Sequence, residues 1–154
     1  MILYLKLDPY LAQWWINECG GSDPVKPLRG SVEAEFLQVF LTLPPKGWIE
    51  PPHDGCVAVD LPQFRSVDTR YHYWLSQSAR DALADIIRKR FDLCMWNELF
   101  SFHNHFSRID NLIYAFMERH GIEPTETNWN AIAKRYQRKR DVYRKIRKKN
   151  LKSS

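Results

Sequence analysis

The sequence lacks the residues and runs that mark several common protein classes. Its 154 residues include only three cysteines, Cys19, Cys56 and Cys94, an odd and widely spaced set. Such a set predicts reduced thiols in the cytoplasm rather than a disulfide framework. No apolar run approaches the roughly 18 residues that a membrane span requires. The first residues include Asp8 and no basic stretch, which does not fit a secretory signal. We therefore expect a cytoplasmic protein with no membrane segment.

Signature motifs of common enzymes are also missing. The sequence has no glycine-rich phosphate loop, no dinucleotide-binding fingerprint and no nucleophile elbow. Residues 102–106 (FHNHF) place His103 and His105 two positions apart, which invites comparison with HNH nucleases and metal sites. Together with Cys94 and His120 they give no standard zinc spacing, and no further ligands of an HNH unit follow. The sequence therefore predicts a non-enzymatic protein with no catalytic residue, no metal site and no cofactor.

Charge, by contrast, is plentiful and unevenly distributed. Residues 131–154 carry eleven Lys or Arg against one acid, Asp141, for a net charge of +10. Residues 1–130 carry twelve Lys or Arg against seventeen Asp or Glu, for a net charge of −5. A mildly acidic body followed by a strongly basic arm predicts an acidic polymer as partner, most often nucleic acid.

The first half of the chain mixes two strands with two helices. Residues 2–7 and 56–61 predict short strands that could pair, and a proline-rich loop at residues 43–55 precedes the second strand. One helix should begin at Pro9, end near Glu18 and stop at a glycine pair. Ser31 should cap a second helix. The apolar face predicted for this second helix is Phe36, Leu37, Phe40 and Leu41.

From residue 76 onward the pattern is helical. Ser76 or Ser78 should cap one helix, and Asp92 should start a shorter one that carries Leu93, Trp96, Leu99 and Phe100. Ser107 and Asp110 have the spacing of a capping box for a helix that ends near His120. Gly121 should terminate it. The last helix should start at Thr125 or Thr127.

These elements predict a mainly α fold, or an α+β fold with a minor two-stranded sheet. We expect a single compact domain with a basic C-terminal helix. Its parts are an α+β body (1–106), a helical hairpin packed on that body (107–149) and a frayed tail (150–154). Trp14 and Trp15 are adjacent and should face different sides of their helix, so one could lie at an interface. A homodimer, or a protein partner that binds the acidic body, is therefore left open.

The final helix carries the prediction of function. Trp129, Ile132, Ala133 and Tyr136 form a stripe that can dock on the preceding helix, which leaves basic residues on the other faces. A helix of this kind fits the major groove of B-DNA, about 12 Å wide. In such a groove, arginine forms hydrogen bonds to guanine, asparagine forms them to adenine, and the remaining basic residues contact phosphates. The predicted nucleic-acid-binding residues are Asn130, Lys134, Arg135, Arg138, Lys139, Arg140, Arg144, Lys145, Arg147 and Lys148.

Residues 107–149 resemble a known class. The order helix, glycine-containing connection and W-x-x-I-A-K-R-Y followed by arginine resembles the last two helices of helix-turn-helix and Myb-like DNA-binding domains. Its overall character is similar to that of small basic regulators carried by phages and mobile elements. The connection at 121–126 is longer than the standard turn of three to four residues. The resemblance implies binding of double-stranded DNA, with transcription regulation as the role. The alternative is an interaction or assembly protein whose basic helix binds RNA or an acidic protein partner.

Overall fold

The structure, a computed structural model, describes residues 1–103 and 108–153. Within these residues the chain forms five helices and one small antiparallel sheet, which confirms the predicted mainly α class with a minor two-stranded element. The elements in order are β1 (Ile2–Lys6), α1 (Pro9–Glu18), α2 (Val32–Phe40), β2 (Cys56–Asp60), α3 (Gln77–His103), α4 (Ile109–Arg119) and α5 (Glu126–Ser153).

The chain divides into two compact units, Met1–Arg90 and Phe91–Ser154. The division falls inside α3, so this helix contributes residues to both units. The boundary predicted between residues 106 and 107 lies outside the described residues and stays a prediction.

The sheet of the first unit follows directly from alternating side chains. β1 and β2 are antiparallel, with Leu3 opposite Val59 and Leu5 opposite Val57. All four side chains are buried, whereas the residues between them are only partly covered. Because successive side chains of a strand point to opposite faces, one face of the sheet is buried and the other is partly exposed. The two predicted strands are therefore confirmed as a pair.

Helix α1 begins and ends where the sequence predicts. Pro9 occupies its first turn, where the missing N–H costs nothing because that group would have no helical acceptor. Trp14 and Trp15 are both fully buried. The expectation that one of them lies at an interface is therefore wrong.

Helix α2 has the predicted cap and a different buried face. The Ser31 hydroxyl accepts a hydrogen bond from the Ala34 N–H at 3.2 Å. The buried residues are Glu33, Ala34 and Leu37, while Phe40 is 48% exposed. Glu33 can be buried because it pairs with the Arg90 guanidinium. Glu33 therefore occupies part of the buried face of α2. Of the two aromatic residues predicted for that face, Phe36 is half-buried and Phe40 is exposed.

Helix α3 is a single element where the sequence predicts two. Ser76 caps it, since its hydroxyl accepts from the Ala79 N–H at 3.2 Å. No glycine or proline interrupts residues 77–103, so nothing in the backbone stops the helix at Asp92. The predicted start at Asp92 is wrong, and Leu93, one of the residues assigned to that shorter helix, is 62% exposed. The buried apolar side chains on this part of the helix are Phe91, Met95 and Leu99, and Asp92 is buried beside them in sequence.

The remaining differences concern helix ends. α4 begins at Ile109, and the predicted cap Ser107 lies outside the described residues, as do His105 and Phe106. α5 continues to Ser153, so residues 150–153 are helical where the sequence predicts a frayed tail.

Candidate nucleic-acid interface

The turn between α4 and α5 fixes the start of the basic helix. Gly121 has φ of 67°, and the Ile122 N–H donates to the Met117 carbonyl at 2.9 Å. This is the Schellman arrangement, in which a left-handed residue ends a helix, and Ile122 and Met117, the two positions that are usually apolar in this motif, are both buried. Thr125 caps α5, since its hydroxyl accepts from the Asn128 N–H at 3.2 Å.

The first part of α5, residues 126–136, is held against α4; we call it the anchored half. Ile132 and Tyr136 are buried, and Trp129 and Ala133 are half-buried, as the predicted stripe requires. The ring of Trp129 lies 6.0 Å from that of Tyr114 on α4. Apolar burial therefore fixes this half of the helix.

Arg135 belongs to the anchored half and is paired internally. Its guanidinium forms a two-pronged ion pair with Asp92 of α3, with Nε–Oδ1 at 2.7 Å and Nη2–Oδ2 at 2.6 Å. The side chains are only 26% and 12% exposed. This bidentate contact already uses two of the five guanidinium N–H donors and neutralises the charge, so Arg135 attracts a phosphate less strongly than an unpaired arginine does. The structure thus separates Arg135 from the other predicted contact residues.

The rest of α5, residues 137–153, is the basic half. It carries nine Lys or Arg against one acid, Asp141, a net charge of +8. Residues 141–150 are all exposed, and at 1.5 Å per residue the segment extends about 25 Å. Asp141 accepts a hydrogen bond from Gln137 at 3.0 Å. No acidic side chain of the described residues forms an ion pair with seven of the cations: Arg138, Lys139, Arg140, Arg144, Lys145, Arg147 and Lys148.

These cations lie on two sides of the helix. Arg140, Arg144 and Arg147 are spaced by four and three residues and share one face, whereas Arg138 and Lys145 are seven apart and share another. A polyanion could therefore be contacted from both sides of the segment.

A pocket of about 380 Å³ opens beside the arginine face. It is lined by Phe100 of α3 and by Arg140, Tyr143, Arg144 and Arg147 of α5. The ring of Phe100 lies 4.9 Å from that of Tyr143 and stacks on Trp96 at 4.5 Å. Aromatic faces next to guanidinium groups are the combination that proteins use to hold a base beside its phosphate.

The electrostatics at the junction of the two halves reflect this positive charge. His103 Nδ1 lies 2.9 Å from the Tyr136 hydroxyl. Burial lowers the pKa of His103, and the positive charges of Arg140 and Arg144 lower it further. Burial raises the pKa of Tyr136, which the same two arginines partly oppose. These surroundings therefore favour neutral His103. A bound anion near Arg140 and Arg144 would be attracted by the same positive charges.

The predicted contact residues fall into three groups. Asn130 and Lys134 are exposed on the anchored half and line a shallow groove with residues of α4. Arg135 is paired with Asp92. The other seven lie on the basic half, where Arg140 is half-buried and the rest are exposed. Sequence reasoning missed Phe100 and Tyr143, although Tyr143 follows Tyr136 by two helical turns and so continues its face.

A second polar cluster lies between α3 and the end of α4. Cys94 and Glu98 are one turn apart on α3, and His120 is the residue that ends α4. The Cys94 Sγ lies 3.9 Å from His120 Nε2, which lies 2.6 Å from Glu98 Oε1. The other carboxylate oxygen, Oε2, accepts from Arg119 Nη2 at 2.7 Å. All three side chains are half-buried.

Comparison with protein-family models, curated proteins and solved structures gives no match for this chain. The resemblance of residues 107–149 to helix-turn-helix and Myb-like domains therefore stays a prediction. Among the described residues, no helix combines the length and apolar character that a membrane crossing needs.

Proposed function

We propose that this chain is a non-enzymatic, cytoplasmic protein that binds double-stranded DNA through the basic half of α5. The observation that supports the proposal is a 17-residue helical segment of net charge +8, in which the seven cations named above form no ion pair with an acidic side chain of the described residues. Exposed like charges repel one another along a helix, so such a surface favours an anionic partner.

The charge density of the segment suits nucleic acid. Nine cations over about 25 Å give roughly one per 3 Å, and duplex DNA carries one phosphate per about 1.7 Å of its axis. Arg138, Lys139, Arg144, Lys145 and neighbouring cations would contact phosphates, while Asn130 and Lys134 on the anchored half would add contacts at the groove. Transcription regulation for a phage or mobile element is the role we propose for this binding.

The experiment is a fluorescence-anisotropy titration of labelled duplex DNA at several salt concentrations. We expect a slope of log affinity against log salt of about −4 to −6, as roughly five to seven phosphate contacts imply. The variant replaces Arg138, Lys139 and Lys145 with alanine, which keeps helix propensity high. Losing three contacts should make the slope shallower by about 2.7. Arg135 is left intact because its loss would disturb the Asp92 ion pair.

The matched control replaces Lys6, Lys26 and Lys46 with alanine. These residues are exposed and lie in the first unit. Their replacement removes three positive charges, as many as the variant in the basic half loses. The control should keep the wild-type slope. If both variants weaken binding equally, net charge rather than the basic half drives association. If the folded wild type fails to bind at low salt, the proposal is wrong.

A second candidate function is an interaction or assembly protein whose basic helix binds RNA. The pocket beside Phe100 and Tyr143 favours it, since RNA-binding proteins commonly stack unpaired bases on aromatic rings. Competition of labelled duplex DNA with unlabelled single-stranded RNA separates the two. If RNA competes more strongly than duplex DNA, and Tyr143→Ala removes that advantage, the second candidate is favoured. An acidic protein as partner would be indicated by binding of defined stoichiometry without nucleic acid.

A further inference from the structure

We propose that Cys94, Glu98 and His120 form a binding site for a divalent transition-metal cation, with zinc the best chemical fit. Their ligand atoms, one sulfur, one carboxylate oxygen and one imidazole nitrogen, all lie within 4.8 Å of one another. Thiolate, imidazole and carboxylate are the three side-chain donors that zinc uses in proteins. The site does not involve the basic half and goes beyond nucleic-acid binding.

Local structure explains why these three side chains meet. Cys94 and Glu98 are four residues apart on α3, so they project from the same face on successive turns. His120 ends α4, and its backbone N–H donates to the Phe116 carbonyl at 3.1 Å. Its ring also contacts the Phe116 ring at a centroid distance of 4.5 Å. The imidazole is therefore positioned by a helix end and by an aromatic neighbour.

The distances need only small changes to accommodate an ion. Tetrahedral zinc with bonds of about 2.3 Å to sulfur and about 2.0 Å to nitrogen and oxygen separates sulfur from nitrogen by roughly 3.5 Å, and nitrogen from oxygen by roughly 3.3 Å. The observed separations are 3.9 Å for Cys94 and His120 and 2.6 Å for His120 and Glu98. These two separations each require a change of well under about 1 Å, and the third, from the Cys94 sulfur to the Glu98 carboxylate, lies within 4.8 Å against a tetrahedral value of roughly 3.5 Å.

Charge and hydrogen bonding favour the ion as well. A thiolate and a carboxylate balance the two positive charges of zinc, while neutral imidazole adds none. Arg119 donates to Oε2 of Glu98, whereas His120 lies against Oε1, so Glu98 could bind through Oε1 and keep its Arg119 contact. Ligating carboxylates are commonly held by such an outer hydrogen bond. Three protein ligands leave a fourth position for water or another ligand.

The sequence alone predicts no metal site because its histidine and cysteine spacing is unlike known zinc motifs. The carboxylate of Glu98 is what completes the set, and no one-dimensional spacing connects it to His120 before α3 and α4 are folded together.

The test is a titration of the reduced, full-length protein with Co²⁺, a spectroscopic substitute for Zn²⁺. Binding should produce a thiolate-to-cobalt charge-transfer band in the near ultraviolet and visible bands of tetrahedral intensity, and added Zn²⁺ should abolish both. Cys94→Ser should remove the charge-transfer band. Glu98→Gln and His120→Gln should weaken Co²⁺ binding at least tenfold. Arg119→Gln should weaken it by about tenfold as an outer-sphere effect.

The controls are Cys19→Ser and Cys56→Ser, because these cysteines are also half-buried but lie outside the cluster. Both should retain the wild-type spectrum. Circular dichroism of the metal-free variants establishes that each is folded, and any variant that is not is replaced by Cys94→Ala or His120→Asn. A wild-type spectrum without the thiolate band would overturn the proposal, as would a band that persists in folded Cys94→Ser. In either case Glu98 and His120 form only an ion pair beside a thiol.

Discussion

The two halves of α5 are both helical and both basic, yet their side chains have opposite surroundings. In the anchored half, Ile132 and Tyr136 are buried and Arg135 is paired with Asp92. In the basic half, Ile146 is 54% exposed and the arginines have no acidic partner among the described residues. The comparison shows that the role of a basic residue depends on which side chain the fold places beside it. For Arg135 that side chain is Asp92, which lies 43 positions earlier in the sequence.

The halves must also be stabilised differently. Burial of apolar surface holds the anchored half, since a fully buried aliphatic side chain contributes about 1.5–3 kcal/mol. In the basic half, the ring contacts of Tyr143 with Trp96 and Phe100 and the helix propensity of the segment oppose the mutual repulsion of its positive charges. Because like charges along a helix destabilise it, neutralisation by phosphates should stabilise this half. Binding and helix stability are then coupled in the basic half alone.

The largest predicted effect comes from exchanging one isoleucine in each half. Ile132→Ala removes a fully buried side chain and should lower the free energy of unfolding by about 2–4 kcal/mol. Ile146→Ala should change it by less than about 0.5 kcal/mol, because the side chain is exposed and alanine has the higher helix propensity. Urea denaturation followed by circular dichroism measures both. Equal destabilisation by the two substitutions would show that the basic half is packed as firmly as the anchored half.

A smaller and reciprocal effect is expected from two arginines. Arg135→Ala leaves the Asp92 carboxylate largely buried without its guanidinium and should cost about 1–3 kcal/mol of stability. Its effect on the salt dependence of DNA binding should be negligible. Arg138→Ala should do the reverse: little change in stability, and a salt slope shallower by about 0.9.

The double variant Asp92→Asn/Arg135→Ala is the control for the ion pair, because it removes both charges. It should recover part of the stability lost in Arg135→Ala. If Arg135→Ala instead lowers the salt slope as much as Arg138→Ala does, then Arg135 contacts DNA and the separation of the two halves fails.

Much of the fold could be predicted from local sequence. The Pro9 start of α1, the Ser31 cap and the alternation of β1 and β2 act over a few residues, and each was predicted correctly. The predictions were wrong where a residue distant in the sequence determines burial or helix length. Glu33 is buried because Arg90 reaches it, and Asp92 lies inside a helix, paired with Arg135, instead of starting one. Neither ion pair can be predicted from the sequence of a single helix, because its two residues lie on different helices.

The candidate site divides in the same way. Composition identifies the basic half, because charge is counted without knowing the fold. The pocket of Phe100 and Tyr143, the pairing of Arg135 and the meeting of Cys94 with His120 each require α3 to be packed against a later helix of the second unit. Sequence periodicity states which face of a helix is apolar but not which residue of another helix it meets.

The smallest predicted effect concerns His103, at the junction of the two halves. Its pKa is lowered in the folded protein, so the unfolded chain takes up the proton first as the pH falls. Above the ordinary histidine pKa of about 6.5, both the folded and the unfolded chain hold His103 neutral, so its contribution to the free energy of unfolding is constant. As the pH falls from about 6.5 through the lower pKa of the folded state, this contribution is lost. Urea midpoints between pH 5 and 8 should therefore depend less on pH in His103→Gln than in the wild type.

DNA binding should shift this titration. Phosphates that contact Arg140 and Arg144 would neutralise the charges that help lower the His103 pKa, so saturating duplex should raise it toward its ordinary value. Histidine resonances in NMR titrations with and without DNA measure the shift, and His53, in a loop of the first unit, is the internal control. A His103 pKa that stays unchanged in the saturated complex would mean that the bound phosphates lie away from Arg140 and Arg144. Contact would then be restricted to the face of Arg138 and Lys145, and the arginine pocket would play no part in DNA binding.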